Sequence, residues 1–225
     1  MADRLTERAH RVLDLAREEA GRFGHAYVGP EHVVLGLLRD GASGAASLLR
    51  ARGLDLEAAR AGLGRLVERG VVPGPRPNDA ELLGSLGIDL DAVRRRTERT
   101  FGRLALGRAT REPVRARRNG VGRVPRTPLQ GPPVLTTQVT YLASQGAKAL
   151  GQDAVGPELL LLGVVEDVRT PWPRCMWNRW QRRLWASVGL PERYRGAAGP
   201  LLLAFGVDLA ELRSAVLAEL NQTVL

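Results

Sequence analysis

The sequence lacks several features that would assign it to a common class of protein. The 225-residue chain has one cysteine, which excludes a disulfide framework and a zinc site built from several cysteines. Its first ten residues are charged from position 3 and contain no apolar signal-peptide core. Apolar runs such as residues 159–165 are far shorter than the about 20 residues of a membrane-spanning helix. We therefore expect a cytoplasmic protein without a membrane span.

Lysine is almost absent, and the excess of positive charge comes from arginine. Lys148 is the one lysine among 33 basic residues, and the formal net charge is +9. Residues 94–126 contain twelve arginines and two acidic residues, and residues 169–195 contain seven arginines and one acidic residue. The remainder of the chain is acidic. The sequence thus describes an acidic scaffold with two basic segments, and arginine richness alone is weak evidence for nucleic-acid binding.

The first basic segment runs into sequence rich in proline and glycine, and we place a linker with a degenerate half-repeat over residues 71–133. Three interpretations stay open for residues 94–126: a solvated helix followed by a linker, a docking arm for an acidic protein partner, or a nucleic-acid contact. The last is the least favoured, because Phe101 is the only aromatic residue there and no helix-turn-helix pattern surrounds it.

An internal repeat is the most informative feature of the sequence. Residues 12–36 align with residues 139–163 at a constant offset of 127, and eleven of the 25 positions are identical. The block V-G-P-E-x-x-x-L-G stands intact in both copies. We interpret this as a duplication, with repeat 1 over residues 1–70 and repeat 2 over residues 134–225.

A four-residue motif, G-x-D-L, occurs at residues 53–56, 87–90 and 206–209. Its glycine can take the left-handed conformation that ends one helix, and its aspartate can cap the next helix. Glu211 lies three residues after Asp208, as in a capping box. The motif therefore predicts a corner between two helices in each repeat, and the middle copy indicates an extra half-repeat.

Helical periodicity dominates the chain, and no sustained alternation typical of strands is present. Apolar residues recur along one helical face from Leu5 to Phe23, Thr6 can cap that helix, and Pro30 suits the first turn of a second helix. Further helices are predicted over about residues 43–52 and 55–67. The sequence predicts an all-α fold of two pseudo-twofold four-helix repeats, about eight helices in all, with a basic, partly helical linker.

Three stretches of repeat 1 form a recognisable pattern: L-T-E-R-A-H-R-V-L, then G-H-A-Y-V-G-P-E-H, then the G-L-D-L corner. Together they closely resemble the N-terminal repeat domain of Clp-type unfoldases, especially the ClpC group. The resemblance runs over about residues 1–68 and resumes over about residues 134–165 and 199–220. It implies a module that binds client proteins, adaptors or peptides and passes clients to the ATPase ring. The nucleotide-binding motif G-x-x-x-x-G-K-[ST] is absent from the chain.

Glu31 and Glu158 match the family glutamate that contributes to phosphoarginine recognition. The alternative is local, because a carboxylate in the first turn of a helix is stabilised by the helix dipole. The family threonine before this glutamate is replaced by Pro30 and Pro157, which removes a hydroxyl and a backbone N–H at both sites. His32 keeps the family histidine, whereas Leu159 stands in its place in repeat 2. These departures argue against phosphoarginine, while an unmodified arginine or a basic adaptor surface stays open.

All four tryptophans lie within residues 172–185, inside an insertion over about residues 166–198 of repeat 2. The rings can anchor a helical insert, with the arginines solvated or stacked on them. Alternatively they form a partner surface, because tryptophan and arginine are the common hot-spot residues, or they stack on single-stranded nucleic acid or lie at a membrane interface. The candidate contact residues are Trp177, Trp180, Arg179 and Arg183.

No catalytic, metal or cofactor site is predicted. His10, His25 and His32 do not form a convincing metal site, and no Ser/His/Asp or Cys/His arrangement involves Cys175. We expect a non-enzymatic protein- or peptide-binding module whose partners are Clp ATPase subunits, adaptors or client proteins. The alternative from another class is an arginine-rich nucleic-acid-binding regulator that reuses the same fold.

Overall fold

Eight helices and one short pair of strands make up the described part of the chain. The computed structural model describes residues 4–74, 92, 96, 134–170, 190 and 194–222. The helices are α1 (Glu7–Arg22), α2 (Pro30–Asp40), α3 (Gly44–Arg50), α4 (Leu56–Glu68), α5 (Val134–Ala149), α6 (Pro157–Arg169), α7 (Ala198–Ala204) and α8 (Leu209–Gln222). The all-α prediction is confirmed.

The chain divides into two compact units. One unit joins residues 1–75 to residues 127–225 and so contains both repeats, α1–α4 and α5–α8. The other spans residues 76–126, of which the structure describes only Ala92 and Arg96. The predicted linker, the middle copy of the corner motif and most of the tryptophan-containing insertion therefore lie outside the described residues.

Side chains cap three of the four helices of repeat 1, two of them, at Thr6 and Asp55, as the sequence predicts. The N–H of Ala9 donates to Thr6 Oγ1 at 3.1 Å at the start of α1. Ser43 and Asp55 accept in the same way at the starts of α3 and α4. Each such cap satisfies a backbone donor that the first turn leaves without a helical partner.

Both corner motifs of the repeats form as predicted. Gly53 and Gly206 have φ of 77° and 68°, the left-handed region that glycine adopts without steric cost. Asp208 Oδ1 then accepts from the N–H of Ala210 at 2.7 Å and of Glu211 at 3.2 Å. The Glu211 carboxylate forms an ion pair with Arg52 of repeat 1 at 3.2 Å, instead of the bond to the Asp208 backbone that a capping box has.

The first two helices of each repeat pack unusually closely. A Cβ on Gly36 would lie 2.5 Å from the carbonyl oxygen of Val12, and a Cβ on Gly163 would lie 2.4 Å from that of Val139. The same backbone-to-backbone approach thus occurs in α1–α2 and in α5–α6. Because only glycine fits there, packing explains why the duplicated block ends in the same residue in both repeats.

The two repeats exchange their third helices. α3 of repeat 1 packs on α6 and α8 of repeat 2, and α7 of repeat 2 packs on α2 and α4 of repeat 1. Where α3 packs on α8, Gly44 lies against the side chain of Glu219. Where α7 packs on α4, Gly62 lies against the side chains of Phe205 and Leu201. The buried apolar residues of both repeats consequently form one continuous core.

A two-residue parallel pairing also joins the repeats, where the sequence predicts no strand. β1 (Arg4–Leu5) pairs with β2 (Ala154–Val155), and the N–H of Thr6 donates to the carbonyl of Val155 at 3.0 Å. The strands are too short to show an alternating pattern, so the periodicity of the sequence does not reveal them.

Candidate partner-binding site

Glu31 lies at the interface between the repeats, at the start of α2. Its side chain is fully buried. Oε2 accepts from the N–H of Ala197 at 2.8 Å, and Oε1 accepts from the Tyr194 hydroxyl at 3.1 Å. Both donors belong to the stretch of repeat 2 that leads into α7, residues 194–197, which we call the docking segment. Glu31 therefore stabilises the start of a helix in the other repeat.

Glycine and proline of the duplicated V-G-P-E block allow this geometry. Gly29 is the N-cap of α2, and a Cβ there would lie only 2.3 Å from the Glu31 carboxylate, which folds back over it. Pro30 occupies the first helical position, where it costs no hydrogen bond. Gly196, with φ of 87°, brings the docking segment against the Pro30 ring and Glu31.

Two tyrosines extend the hydrogen-bond chain that ends on Glu31. The Tyr27 hydroxyl donates to the Tyr194 hydroxyl at 2.9 Å, and Tyr194 in turn donates to Glu31. The two rings meet edge to face with centroids 5.5 Å apart. Burial is the main cause that raises the pKa of both phenols, with the charge of Glu31 adding to it. Both hydroxyls thus keep their protons as donors.

His25 and His32 are buried and neutral. His32 Nδ1 accepts from the N–H of Gly29 at 2.9 Å, so the proton of this ring lies on Nε2. His32 Nε2 then donates to His25 Nδ1 at 2.9 Å, which leaves the proton of His25 on Nε2. That atom is buried without a hydrogen-bond partner. Burial lowers the pKa of His25 to about 4 and that of His32 to about 3.

A second buried carboxyl lies near Glu31. Asp167, near the end of α6, is 8 % exposed. The pKa of Asp167 is raised to about 7, mainly by burial and also by the charge of Glu31, while Arg195 opposes the shift. Burial likewise raises the pKa of Glu31, although its bonds from Ala197 and Tyr194 act in the other direction. The interface therefore brings together two acids that are costly to ionise.

Glu158, the counterpart of Glu31, occupies a more open position. It is half-buried at the start of α6, and its Oε1 lies 3.4 Å from the N–H of Ala45 in α3. The two glutamates are thus reciprocal, because each contacts the start of the other repeat's third helix. The residues that lead into α3 are Gly41, Ala42 and Ser43, so the phenol that Tyr194 supplies to Glu31 has no equivalent on that side.

Comparison with known proteins identifies relatives of repeat 1. Residues 4–82 match the family model of the Clp repeat (R) N-terminal domain. Residues 4–82 are thus a Clp repeat N-terminal domain. Over 70 residues it is 49% identical to the Negative regulator of genetic competence ClpC/MecB of Bacillus subtilis and 43% identical to the chloroplastic Chaperone protein ClpC1 of Oryza sativa. These matches cover 31% of this chain but only 9% and 8% of the relatives.

The fold of the Clp repeat domain extends beyond the matched residues. The crystal structure of the N-terminal domain of the Caseinolytic protease associated chaperone ClpD from Arabidopsis thaliana superposes with a TM-score of 0.52. The alignment covers 97% of this chain and 96% of that domain at 16% sequence identity. At this identity the likeness shows the fold alone, and it includes repeat 2.

The described candidate residues separate into two places within the Clp repeat domain. Glu31 and His32 lie together, with His32 Nδ1 and Glu31 Oε1 3.6 Å apart, and neither side chain is exposed. Glu158 lies at the opposite side of the exchange. Trp177, Trp180, Arg179 and Arg183 are outside the described residues. Sequence reasoning missed Tyr27, Tyr194 and Asp167, because no spacing along the chain links them to Glu31.

Neither a metal centre nor a membrane-spanning helix is found among the described residues. No group of three or more histidine, cysteine, aspartate or glutamate side chains is arranged to hold a metal ion in these ranges. Among the described helices, none combines the length and the apolar character needed to cross a bilayer.

The buried acids and histidines predict a specific dependence of stability on pH. Asp167 has a raised pKa in the folded state, so its stabilising contribution is complete below about pH 4 and is lost as the pH rises through about 7. The histidines have lowered pKa values, so their contribution is lost as the pH falls below about 6.5. We expect the two effects to oppose each other between about pH 4 and 6.5, and the Asp167 effect alone to lower the stability from there to slightly above pH 7.

Asp167→Asn tests this sign. Because each pKa unit corresponds to about 1.4 kcal/mol, we expect the variant to have a free energy of unfolding about 1–4 kcal/mol above that of the unmodified protein at pH 8. Urea unfolding between pH 5 and 8.5 measures the difference. A variant less stable than the unmodified protein at pH 8 would contradict the assignment.

Proposed function

We propose that this chain is a non-enzymatic protein- or peptide-binding module of a Clp protease system in the cytosol, which recruits or sequesters clients, adaptors or peptide ligands. The match to the Clp repeat N-terminal domain carries the proposal. Within the described residues, the proposed contact point for a partner is Glu158, whose half-buried carboxylate is accessible while Glu31 is enclosed.

The geometry at Glu158 favours a partner that supplies a cationic or hydrogen-bonding side chain. One oxygen of Glu158 has a long contact to the N–H of Ala45, and Glu219 of α8 lies against the adjacent Gly44. The Glu158 carboxylate therefore lies at the start of α3, where an arginine or lysine of a basic segment can bind it. Charge-assisted bonds of this kind contribute about 1.5–3 kcal/mol.

Glu31 and His32 have a different proposed contribution. Their side chains hold the docking segment and the start of α2, so their substitution acts on a partner through the shape of the repeat interface. A second proposed partner surface consists of Trp177, Trp180, Arg179 and Arg183 of the insertion. Variants at Glu158 and in the insertion therefore distinguish one binding surface from two.

Affinity capture tests the proposal. Tagged protein is incubated with lysate, the bound proteins are identified by mass spectrometry, and the affinity of the recovered partner is measured by titration. We expect Clp ATPase subunits or adaptors, and we expect Glu158→Gln to weaken binding roughly tenfold or more. Glu68→Gln, a change of an exposed carboxylate at the end of α4, is the matched control and should bind normally.

Two results would overturn the proposal. One is capture that recovers no Clp component and no adaptor. The other is salt-sensitive binding to a generic DNA fragment that is lost on deletion of residues 94–126, which would favour the nucleic-acid regulator instead.

A further inference from the structure

Glu31 has too few compensating charges for a carboxylate that is removed from water. Its side chain is fully buried, and its hydrogen bonds from the other repeat come from one hydroxyl and one backbone N–H. The histidine nearest to it, His32, turns an unprotonated nitrogen toward Oε1 at 3.6 Å, because that nitrogen accepts from Gly29. An ionised Glu31 is therefore unfavourable in this enclosure, since a buried charge is stable only when it is paired.

The groups that face Glu31 come from four elements. The loop before α2 contributes His25 and Tyr27, α2 contributes His32, α6 contributes Asp167, and the docking segment contributes Tyr194 and Arg195. Both histidines are neutral, and Asp167 adds a second negative charge when it ionises. Arg195 is exposed, and its attraction acts on Asp167.

Glu19 of α1 is the other fully buried acid of repeat 1, and it is neutralised separately. Arg60 donates to both of its oxygens, at 2.9 and 2.6 Å, and Arg39 donates at 3.2 Å. Burial raises the pKa of Glu19, but Arg60, Arg22 and Arg39 together lower it below its usual value. The contrast shows how this protein pairs a buried carboxylate that stays charged, and Glu31 has no such pairing.

We infer that Glu31 is a pH-sensitive latch between the two repeats: its protonated form holds the docking segment on repeat 1, and loss of the proton loosens that contact. Ionisation places a negative charge beside Asp167 in a space that excludes water. Release of the docking segment admits water to both carboxyls and relieves this cost. The contact is therefore favoured as the pH falls and weakened as the pH rises, because burial raises the pKa of Glu31 and raises that of Asp167 to about 7.

The amide of Ala197 reports the latch directly, because it donates to Glu31. Its protection against hydrogen exchange is measured by NMR at several pH values from 5.5 to 8.5 and corrected for the intrinsic rate at each pH. We expect the protection factor of Ala197 to fall at least tenfold over this range. The amide of Ala46, which Ser43 caps, is the internal control and should change much less.

Three variants complete the test. Glu31→Gln keeps an acceptor oxygen but cannot ionise, so the protection of Ala197 should no longer depend on pH. Asp167→Asn removes the neighbouring charge and should reduce the fall, and it serves alone if Glu31→Gln does not fold. Glu68→Gln, a change of an exposed carboxylate at the end of α4, is the matched control and should behave as the unmodified protein. Constant protection in the unmodified protein, or an undiminished fall in both Glu31→Gln and Asp167→Asn, would overturn the proposal.

Discussion

Gly36→Ala is expected to be strongly destabilising although it adds a single methyl group. The added Cβ would lie 2.5 Å from the carbonyl oxygen of Val12, 3.0 Å from the nitrogen of Ala16 and 3.2 Å from the Cβ of Ala16. Two of these atoms belong to the backbone of α1, which cannot rotate away as a side chain can. The helices must separate, and overpacking of this kind costs about 1–3 kcal/mol, or more where the backbone has to shift. We expect thermal unfolding about 4–10 °C lower.

Repeat 2 offers a second, independent site for the same experiment. A Cβ on Gly163 would lie 2.4 Å from the carbonyl oxygen of Val139, so Gly163→Ala should have an effect of similar size. Gly64→Ala in α4 is the matched control, because a Cβ there meets nothing within 4 Å. Alanine favours a helix over glycine by up to about 1 kcal/mol, so the control should be neutral or stabilising. Equal stability of all three variants would show that the helices of each pair do not approach so closely.

The duplication and the local signals could be predicted from the sequence because they depend on neighbours along the chain. The periodicity of α1, the Thr6 cap, the first-turn position of Pro30 and the corner at Gly53 involve interactions across only a few residues. Repetition of V-G-P-E also indicated that both repeats place a glutamate at a helix start. These features are fixed by backbone geometry and hydrogen bonding within one turn or one helix pair.

The residues that these two glutamates contact could not be predicted from the sequence. Glu31 contacts Ala197 at a separation of 166 residues, and Glu158 contacts Ala45 at a separation of 113 residues. No local pattern specifies that the third helix of each repeat packs on the other repeat. The burial of Glu31 and the openness of Glu158 follow from the difference between the segments before α7 and α3. One contains Tyr194 and Gly196, and the other is formed by Gly41, Ala42 and Ser43.

The packing of each third helix on the other repeat explains the structural role of the glutamate in both copies of the duplicated block. In each repeat an oxygen of the glutamate side chain accepts from a backbone N–H at the start of a helix from the other repeat, a donor that the first turn leaves without a helical partner. The same block thus contributes to holding the two repeats in one core. The contact is enclosed on the side of Glu31 and more open on the side of Glu158.

Gly196→Ala is expected to displace the docking segment from repeat 1. Gly196 has φ of 87°, which a residue with a side chain rarely adopts. An added Cβ would also lie 2.7 Å and 2.9 Å from the Pro30 ring and 3.1 Å from Glu31 Oε2. The ring of Pro30 is fixed at the start of α2, so the segment rather than the helix must move. We expect a loss of about 2–4 kcal/mol from the backbone and packing costs combined.

Gly206→Ala separates the cost of the left-handed backbone conformation from the cost of the clash. Gly206 has a similar φ of 68°, but a Cβ there meets nothing within 4 Å, so this variant carries the backbone cost of about 1–2 kcal/mol without a clash. Gly196→Ala should therefore lose more stability in urea unfolding, and it alone should lose the exchange protection of the Ala197 amide. If both variants lose equal stability and keep that protection, the docking segment does not lie against Pro30 and Glu31. A greater loss in Gly196→Ala, with Ala197 exposed to exchange, supports the segment as the contact that encloses Glu31.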